Sequence, residues 1–200
     1  MEKCHTTCCI QNTQNANVIN YQSSIYKNPV SSWYRIFFME EHYIKYYESP
    51  VGWLKVTTNN SHLIAISFSD EEGESSEDLP TVLLDTINQL TEYFEGTRKS
   101  FQIKLAPLGT YFQQKIWELV EKVPFGETAS YLDIALQSGS EKNTRAVGLA
   151  NGKNPIPIII PCHRIIGTNG KLTGYAGGLD KKRWLLLHEQ QHSTRHNRLF

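Results

Sequence analysis

Long hydrophobic runs are missing from this 200-residue sequence. A typical aliphatic stretch, Ile158 to Ile160, has only three residues between Pro157 and Pro161. A helix that crosses a bilayer needs about 20 predominantly apolar residues. Met1 to Cys9 also lacks the basic cluster and following apolar segment of a secretory signal. We therefore expect no membrane span and no secretion, and a cytoplasmic protein, or a nuclear one if its source is eukaryotic.

Cysteine is scarce: Cys4, Cys8 and Cys9 lie together near the N-terminus, and Cys162 stands alone. This distribution excludes a disulfide framework, which needs several spaced pairs. The N-terminal group has only His5 beside it and lacks the paired spacing of a zinc site. An incidental cluster is therefore favoured there over a metal site, and Cys162 is the cysteine whose position needs an explanation.

Net charge is also absent, because 20 Lys and Arg residues balance 20 Asp and Glu residues. The two halves of the chain nevertheless differ. Residues 1–109 contain 8 basic and 13 acidic residues, a net charge of −5, whereas residues 110–200 contain 12 and 7, a net charge of +5. A basic half of this kind is compatible with a polyanionic partner such as nucleic acid.

Residues 1–38 are predicted to form a disordered extension. Between Gln11 and Ser32 the sequence is rich in Asn, Gln and Ser and has no hydrophobic period. Such a composition buries too little apolar surface to offset the entropy lost on ordering. Residues 192–200 are likewise expected to be a tail outside the folded domains.

Residues 39–107 have the pattern of a small α+β domain. Three β-rich runs start at Tyr43, Gly52 and His62 and predict a small antiparallel sheet. Pro80 is predicted to open an amphipathic helix that ends at Gly96. A further strand is predicted from Phe101 to Leu105. The apolar face of the helix is expected to comprise Leu83, Leu84, Ile87, Leu90 and Phe94.

Residues 108–191 are predicted to form a second, mainly helical domain. Thr110 with Gln113, and Ser130 with Asp133, are capping boxes that open two helices. The second helix ends at Gly139, and a further helix is expected from Ser140 to about Asn151. Two helices joined by a tight glycine turn outline a helix-turn-helix. The predicted fold class is therefore α+β, with a sheet and helix followed by helices that include a helix-turn-helix.

The segment from Arg145 to Lys153 is unusually rich in small residues for a surface helix. Gly148 alone costs about 1 kcal/mol of helix propensity relative to alanine. Small side chains would let the helix lie in a narrow DNA groove, and Arg145 could then enter that groove. On this hypothesis Arg145, Gly148 and Asn151 contact DNA. The alternative is close packing of the helix inside the protein.

Cys162 follows a stretch that three prolines and three isoleucines make rigid and apolar. A cysteine in such a place is either a small core residue or a nucleophile held in a fixed position. His163 favours the second interpretation, because a thiol becomes reactive when a base or a positive charge assists its ionisation. Adjacent side chains in extended backbone point apart, so a bridging water is the expected link between them.

Three segments resemble the O6-alkylguanine-DNA alkyltransferases, the suicide DNA repair proteins. They are Asn154 to Ile166, with its Pro-Cys-His-Arg motif, Gly174 to Gly178, and Trp184 to Glu189. The likeness extends from about Tyr43 to Glu189.

The resemblance implies that Cys162 attacks the alkyl carbon on O6 of guanine. His163 would take the thiol proton through a water, and Glu189 would orient and stabilise the imidazolium. Tyr131 would donate a hydrogen bond to the departing guanine, and Asn154 would brace the active-site turn. Because water cannot hydrolyse the resulting thioether, each molecule would act once.

The remaining implied contacts are with the base and the DNA. Tyr175, Ala176 and Gly177 match the loop that closes over the base, and Pro157 is predicted to line the same pocket. Arg145 matches the arginine that takes the place of the extruded nucleotide, and Tyr131 is also expected to contact the DNA. The basic residues Lys142, Lys153 and Lys171 are expected to hold phosphates without reading sequence.

The implied partner is double-stranded DNA containing an alkylated base, bound by a monomer without a cofactor. Some family members hold zinc through N-terminal cysteines and histidines, but this chain has no cysteine between Ile10 and Pro161, so we expect no zinc. The resemblance leaves open whether O4-alkylthymine is also a substrate. Two alternatives remain: a Cys-His hydrolase built on Cys162, His163 and Glu189, and a non-catalytic helix-turn-helix protein that binds lesions.

Overall fold

A computed structural model describes residues 41–193, and it begins with a three-stranded antiparallel sheet. The strands are β1 (Tyr43–Ser49), β2 (Gly52–Thr58) and β3 (Leu63–Ser69), in the order β1-β2-β3. In the register, Tyr43 lies opposite Thr58, and Trp53 lies opposite Ser69. The sheet confirms the predicted antiparallel arrangement. The predicted extension, with Cys4, Cys8 and Cys9, and residues 194–200 of the predicted tail lie outside the described residues.

Helix α1 (Thr81–Phe94) begins after Pro80, whose extended backbone occupies the N-cap. Its buried residues are Leu83, Thr86, Leu90 and Tyr93. The prediction that Leu84 belongs to the apolar face was wrong, since this side chain is 47% exposed. One helical residue turns the chain by about 100°, so Leu84 lies at the border of the face that Leu83 and Leu90 bury.

The predicted strand from Phe101 to Leu105 was wrong, because only Leu105 forms a bridge, to Leu63. The N–H of Gln102 instead donates to the side chain of Gln89 in α1, at 2.7 Å. Phe101 packs on the ring of Tyr93, with centroids 5.5 Å apart. These contacts turn the segment toward α1, so its backbone pairs with the sheet at one position.

Four α-helices make up about half of residues 110–193: α2 (Tyr111–Glu121), α3 (Tyr131–Ser138), α4 (Thr144–Gly152) and α5 (Leu179–His192). The two predicted capping boxes are both present, Thr110 with Gln113 at α2 and Ser130 with Asp133 at α3. Two short parallel strands, β4 (Ala129–Ser130) and β5 (Ile165–Ile166), join the start of α3 to the chain after Cys162. This pairing fixes Tyr131 close to the active-site segment.

The helix-turn-helix is formed by α3 and α4. Gly139 ends α3 with a φ of +119°, a conformation that suits glycine. The next helix does not start at Ser140 as one continuous α-helix: Ser140 caps a 3₁₀ turn over Glu141–Asn143, and α4 follows from Thr144. The indole N–H of Trp117 in α2 donates to the carbonyl of Ala150 in α4, at 2.9 Å, and fixes the second helix.

Both halves of the described chain contribute to one hydrophobic cluster. It includes Leu54 and Leu63 of the sheet, Leu90 of α1, Ile116 of α2 and Leu185 of α5. The fold is α+β, as the sequence predicted. None of the helices within residues 41–193 is both long and apolar enough to cross a membrane.

Candidate active site

Cys162 lies at the end of a turn that the Asn154 side chain holds together. Asn154 Nδ2 donates to the carbonyl of Ile160 at 2.8 Å, and Asn154 Oδ1 accepts from the N–H of Ile156 at 2.9 Å. Between them, Ile158 has a φ of +76°, which is strained for a β-branched residue. The two Asn154 hydrogen bonds thus span the strained residue, and the bracing role of Asn154 in the reaction stays a prediction.

The thiol of Cys162 is almost fully enclosed, with 4% of the residue exposed. Burial raises the pKa of Cys162 to about 11, which hydrogen bonding to Asn154 and the charge of Lys182 only partly oppose. The resting side chain is therefore a thiol at neutral pH, and its reaction needs a proton acceptor. The carbonyl of Cys162 accepts from Asn151 Nδ2 at 3.3 Å, which ties the residue to the end of α4.

The carboxylate of Glu189 in α5 organises the buried polar groups beside Cys162. Oε1 accepts from His163 Nε2 at 2.7 Å and from Arg164 Nη2 at 2.9 Å. Oε2 accepts from Arg164 Nε at 2.9 Å and from the N–H of Gly126 at 3.0 Å. Oε1 also accepts from the hydroxyl of Tyr93 in α1, at 2.8 Å, which is the fifth hydrogen bond to the carboxylate. Every lone-pair direction of the carboxylate is thus directed at a donor.

These contacts determine the protonation of His163. Burial would raise the pKa of Glu189, but His163 and Arg164 hold it well below its ordinary value, so the carboxyl is ionised. Burial lowers the pKa of His163, and the opposing effect of Glu189 does not restore it. His163 is therefore neutral at pH 7 and must carry its proton on Nε2, facing the carboxylate. Nδ1 then has a free lone pair, and it makes no hydrogen bond with any described residue.

Lys182, two turns before Glu189 on the same face of α5, is a second buried charge near the thiol. Its Nζ donates to the carbonyl of Ile165 at 2.6 Å and to that of Thr173 at 2.9 Å. Burial lowers the pKa of Lys182 to about 8, while Cys162 acts in the opposite direction. The same Nζ lies 5.9 Å from the centre of the Tyr131 ring. Lys182 thus links the cysteine, Tyr131 and the loop before Tyr175.

The predicted base-binding loop lies over His163. The rings of Tyr175 and His163 are edge to face, with centroids 6.4 Å apart, and the Tyr175 hydroxyl is buried without a hydrogen bond to any described residue. Gly177 fits closely against Phe68 of β3, where a Cβ would lie 2.7 Å from the ring. Ala176 is exposed between them, and Pro157 is buried in the cysteine turn.

Helix α4 presents some of its predicted DNA contacts and not others. Arg145 lies exposed in its first turn, and a Cβ on Gly148 would come no closer than 3.9 Å to Tyr131. Internal packing therefore does not require the glycine. Asn151, by contrast, is 4% exposed and turned toward Cys162, so it lies beneath the site instead of on the face that carries Arg145.

The basic residues Lys142, Lys153 and Lys171 are all exposed, as expected for side chains that meet solvent or phosphate. Within residues 41–193, no three His, Cys, Asp or Glu side chains are grouped closely enough to hold a metal ion.

Two family models match consecutive parts of the chain. Residues 42–107 match the ribonuclease-like domain, and residues 111–191 the DNA-binding domain, of 6-O-methylguanine DNA methyltransferase. The methylated-DNA–protein-cysteine methyltransferase of Methanosarcina acetivorans is 44% identical over 151 residues, covering 72% of this chain and 96% of that protein. The chain belongs to the 6-O-methylguanine DNA methyltransferase family.

Another protein of the methyltransferase family and two of its solved structures are similar to this chain over comparable lengths. The methylated-DNA–protein-cysteine methyltransferase of Mycolicibacterium paratuberculosis is 43% identical. The alignment covers 76% of this chain and 95% of that protein. The crystal structure of the Mycobacterium tuberculosis O6-methylguanine methyltransferase has a TM-score of 0.69 and 40% identity, over 76% of this chain and 95% of that one. A structure from the same organism in complex with DNA has the same TM-score and 41% identity, over 75% and 94%.

For this family member, the sequence alone missed Tyr93, Arg164 and Lys182 as parts of the site. One signal was available for Lys182. The buried residues of α5 include Lys182, Leu185, Leu186 and Glu189, which have the i, i+3, i+4, i+7 spacing of one helical face. A charged residue at each end of an apolar face indicates that both charges meet partners in the interior. Tyr93 gave no comparable signal, since its partner lies 96 residues away.

Proposed function

We propose that this protein repairs DNA by transferring an alkyl group from O6 of guanine in a duplex to Sγ of Cys162, once per molecule. The observation that carries the proposal is the His163–Glu189 hydrogen bond of 2.7 Å beside Cys162, the one cysteine within residues 41–193. Membership of the methyltransferase family supports the same reaction. The proposed substrate is an alkylated base in double-stranded DNA, bound by a monomer.

The proton of the thiol passes to His163. With Nε2–H directed at Glu189, Nδ1 is the nitrogen that accepts, through a water molecule. The resulting thiolate attacks the alkyl carbon, the S–C bond forms, and the C–O6 bond breaks with its electron pair going to guanine. Glu189 stabilises the imidazolium that remains. The thioether contains no acyl carbon for water to attack, so the cysteine is consumed.

The guanine that leaves carries negative charge and needs a donor. Tyr131 at the start of α3 is the residue proposed for this hydrogen bond, and the β4–β5 pairing holds it near the cysteine turn. Tyr175, Ala176, Gly177 and Pro157 are proposed to surround the base. The close contact of Gly177 with the ring of Phe68 gives this loop a fixed position against the N-terminal sheet.

Arg145 is proposed to fill the space that the extruded nucleotide leaves, with Gly148 allowing α4 to approach the groove. The exposed position of Arg145 and the open space beside Gly148 support this role. Asn151 is proposed to position Cys162 by donating to its carbonyl. This role takes the place of the direct DNA contact that was expected from the sequence.

The two alternatives differ from this proposal in what happens to the cysteine. A Cys-His hydrolase would process many substrates per molecule, and a non-catalytic lesion binder would leave the thiol unchanged. The buried network around Glu189 favours a reactive cysteine over pure binding, since a binder needs no oriented base.

The test of the reaction is to incubate the protein with an O6-methylguanine duplex and weigh the intact protein. One methyl group should be added per molecule, on the peptide that contains Cys162. Cys162→Ser should abolish transfer and still bind the duplex, because the thiol does not contact phosphate. Methylation of Cys4, Cys8 or Cys9 instead, or multiple turnovers, would contradict the proposal. An O4-methylthymine duplex in the same assay tests whether that base is a substrate.

The test of extrusion is Arg145→Ala. Repair within a duplex should slow by much more than the loss of one phosphate contact explains, whereas reaction with the free base O6-benzylguanine should hardly change, since no base has to be extruded. Lys104→Ala, an exposed charge on the N-terminal half, is the matched control and should leave both rates unchanged. Equal slowing on both substrates in Arg145→Ala would assign the residue to the fold instead.

A further inference from the structure

Tyr93 brings a residue of the N-terminal half into the network that orients the proposed base. It belongs to α1 and is fully buried. Its hydroxyl donates to Oε1 of Glu189 at 2.8 Å, and the same oxygen accepts from His163 Nε2 at 2.7 Å. Tyr93 and His163 therefore share one acceptor atom, which also accepts from Arg164 Nη2 at 2.9 Å.

The hydroxyl of Tyr93 is held in place independently of Glu189. The backbone carbonyl of Tyr93 accepts from Nε2 of His188, the neighbour of Glu189 in α5, at 2.8 Å. Its ring packs edge to face against Phe125, with centroids 6.0 Å apart, and against Phe101. Burial, followed by the charge of Glu189, raises the pKa of Tyr93 well above its ordinary value, so the hydroxyl remains a donor at every working pH.

We infer that Tyr93 is a positioning residue that controls when His163 becomes protonated, by competing with it for Oε1 of Glu189. The inference rests on the proposed function, in which neutral His163 accepts the thiol proton. Each additional donor on a carboxylate oxygen reduces the negative charge that the oxygen offers to the other donors. With the hydroxyl in place, Glu189 orients the imidazole without drawing a second proton onto the ring.

Several other groups face the same pair. Arg164 donates to both oxygens of Glu189, and the N–H of Gly126 donates to Oε2. The charges of Arg164 and Lys182 both disfavour protonation of His163, whose ring also contacts Tyr175. Removal of Arg164 or Lys182 would change the charge of the site. Loss of the Tyr93 hydroxyl removes one neutral donor and leaves those charges unchanged.

Tyr93→Phe deletes that hydroxyl and keeps the ring. The measurement is the single-turnover rate of methyl transfer from an O6-methylguanine duplex as a function of pH. We expect the acid limb of the profile to move to higher pH by roughly half to one unit, less than the full strength of a hydrogen bond to a charged group, because Arg164 still donates to the same oxygen. A mainly structural role would lower the rate at all pH values without moving the limb.

Tyr47→Phe is the matched control. The hydroxyl of Tyr47 also bonds to α1, where it accepts from Thr91 Oγ1 at 3.2 Å, two residues before Tyr93, and it does not donate to Glu189. This variant should keep the acid limb of the unsubstituted protein. Equal limbs in Tyr93→Phe, Tyr47→Phe and the unsubstituted protein would overturn the inference.

A second variant covers the case in which Tyr93→Phe does not fold. Site-specific incorporation of 3-fluorotyrosine at position 93 keeps the hydroxyl and makes it a stronger donor, so the acid limb should move to lower pH. An unchanged limb there, or a shift to higher pH, would also overturn the role of Tyr93. If the unsubstituted protein transfers no methyl group to Cys162, the proposed function itself fails, which is a different result from transfer with an unshifted profile.

Discussion

The side chain of Glu189 accepts hydrogen bonds from four residues in a fully buried position, and Arg164 supplies the compensating charge. A buried carboxylate paired with His163 alone would favour a protonated imidazole. Because the guanidinium already neutralises Glu189, burial prevails and His163 stays neutral. The triad-like arrangement therefore begins its reaction with a neutral base and a protonated thiol.

This charge balance predicts the pH dependence of transfer. His163 is active when neutral, and its pKa is lowered, chiefly by burial. The rate should therefore be nearly constant down to pH about 6.5, the ordinary histidine value, and should fall only below it. Single-turnover assays between pH 5 and 8, with circular dichroism at each pH as the control for folding, measure the midpoint. A midpoint above pH 7 would mean that His163 is cationic in the resting protein.

The helices that carry the site were largely predictable because their signals are local. Thr110 with Gln113, Ser130 with Asp133, and Gly139 each act within a few residues, so the sequence alone placed α2, α3 and the turn before α4. Cys162, His163 and Glu189 were predicted from a resemblance in their motifs, and the structure brings His163 and Glu189 together across 26 residues.

Contacts between distant elements were the part that the sequence could not supply. The strand expected at Phe101 failed because the backbone N–H of Gln102 donates to the side chain of Gln89 in α1 instead of to a neighbouring strand. Tyr93 was missed for the same reason, since its function depends on α5 lying beside α1. Asn151 looked like a surface residue of a small-residue helix, and only the position of Cys162 relative to α4 reveals that it is buried.

Helix α4 yields a prediction about Gly148. A methyl group there meets no close neighbour, so Gly148→Ala should stabilise the free protein by about 0.5–1 kcal/mol, the usual gain in a helix. If α4 lies against DNA, the same methyl group should weaken duplex binding roughly tenfold, about 1.4 kcal/mol. Urea unfolding and fluorescence anisotropy with a labelled duplex measure the two effects.

Reaction with O6-benzylguanine is the control for Gly148→Ala, and its rate should not change. A stabilised variant that binds duplex as well as the unsubstituted protein would place the DNA on a different surface. A destabilised variant would indicate a packing constraint at Gly148.

The folded chain has its positive charge concentrated in the half that carries the helix-turn-helix, although its net charge is zero. Lys142, Lys153 and Arg145 are exposed on or beside α4. Many acidic residues instead lie in the N-terminal half, including the exposed loop residues Glu71 and Glu72. This separation favours the approach of a polyanion to the basic second half, without giving the protein a high net charge.

The charge separation predicts a salt-dependent affinity for undamaged duplex. For about three or four phosphate contacts, the affinity should fall roughly 40- to 150-fold between about 50 and 200 mM salt. Lys142→Ala and Lys153→Ala should each reduce the slope of log affinity against log salt by about one. Lys104→Ala, on the acidic half, should leave the slope unchanged. An affinity that does not respond to salt would exclude phosphate contacts as the basis of binding.

The burial of Cys162 also has a consequence for resistance to oxidation. Peroxide and similar oxidants attack exposed thiolates, and the progression to sulfinic and sulfonic acids is irreversible. Cys162 is enclosed, and its raised pKa keeps it protonated at neutral pH, so both conditions for oxidation are missing in the resting protein. A protein that can use its thiol only once thereby keeps it chemically intact during the wait for a damaged base.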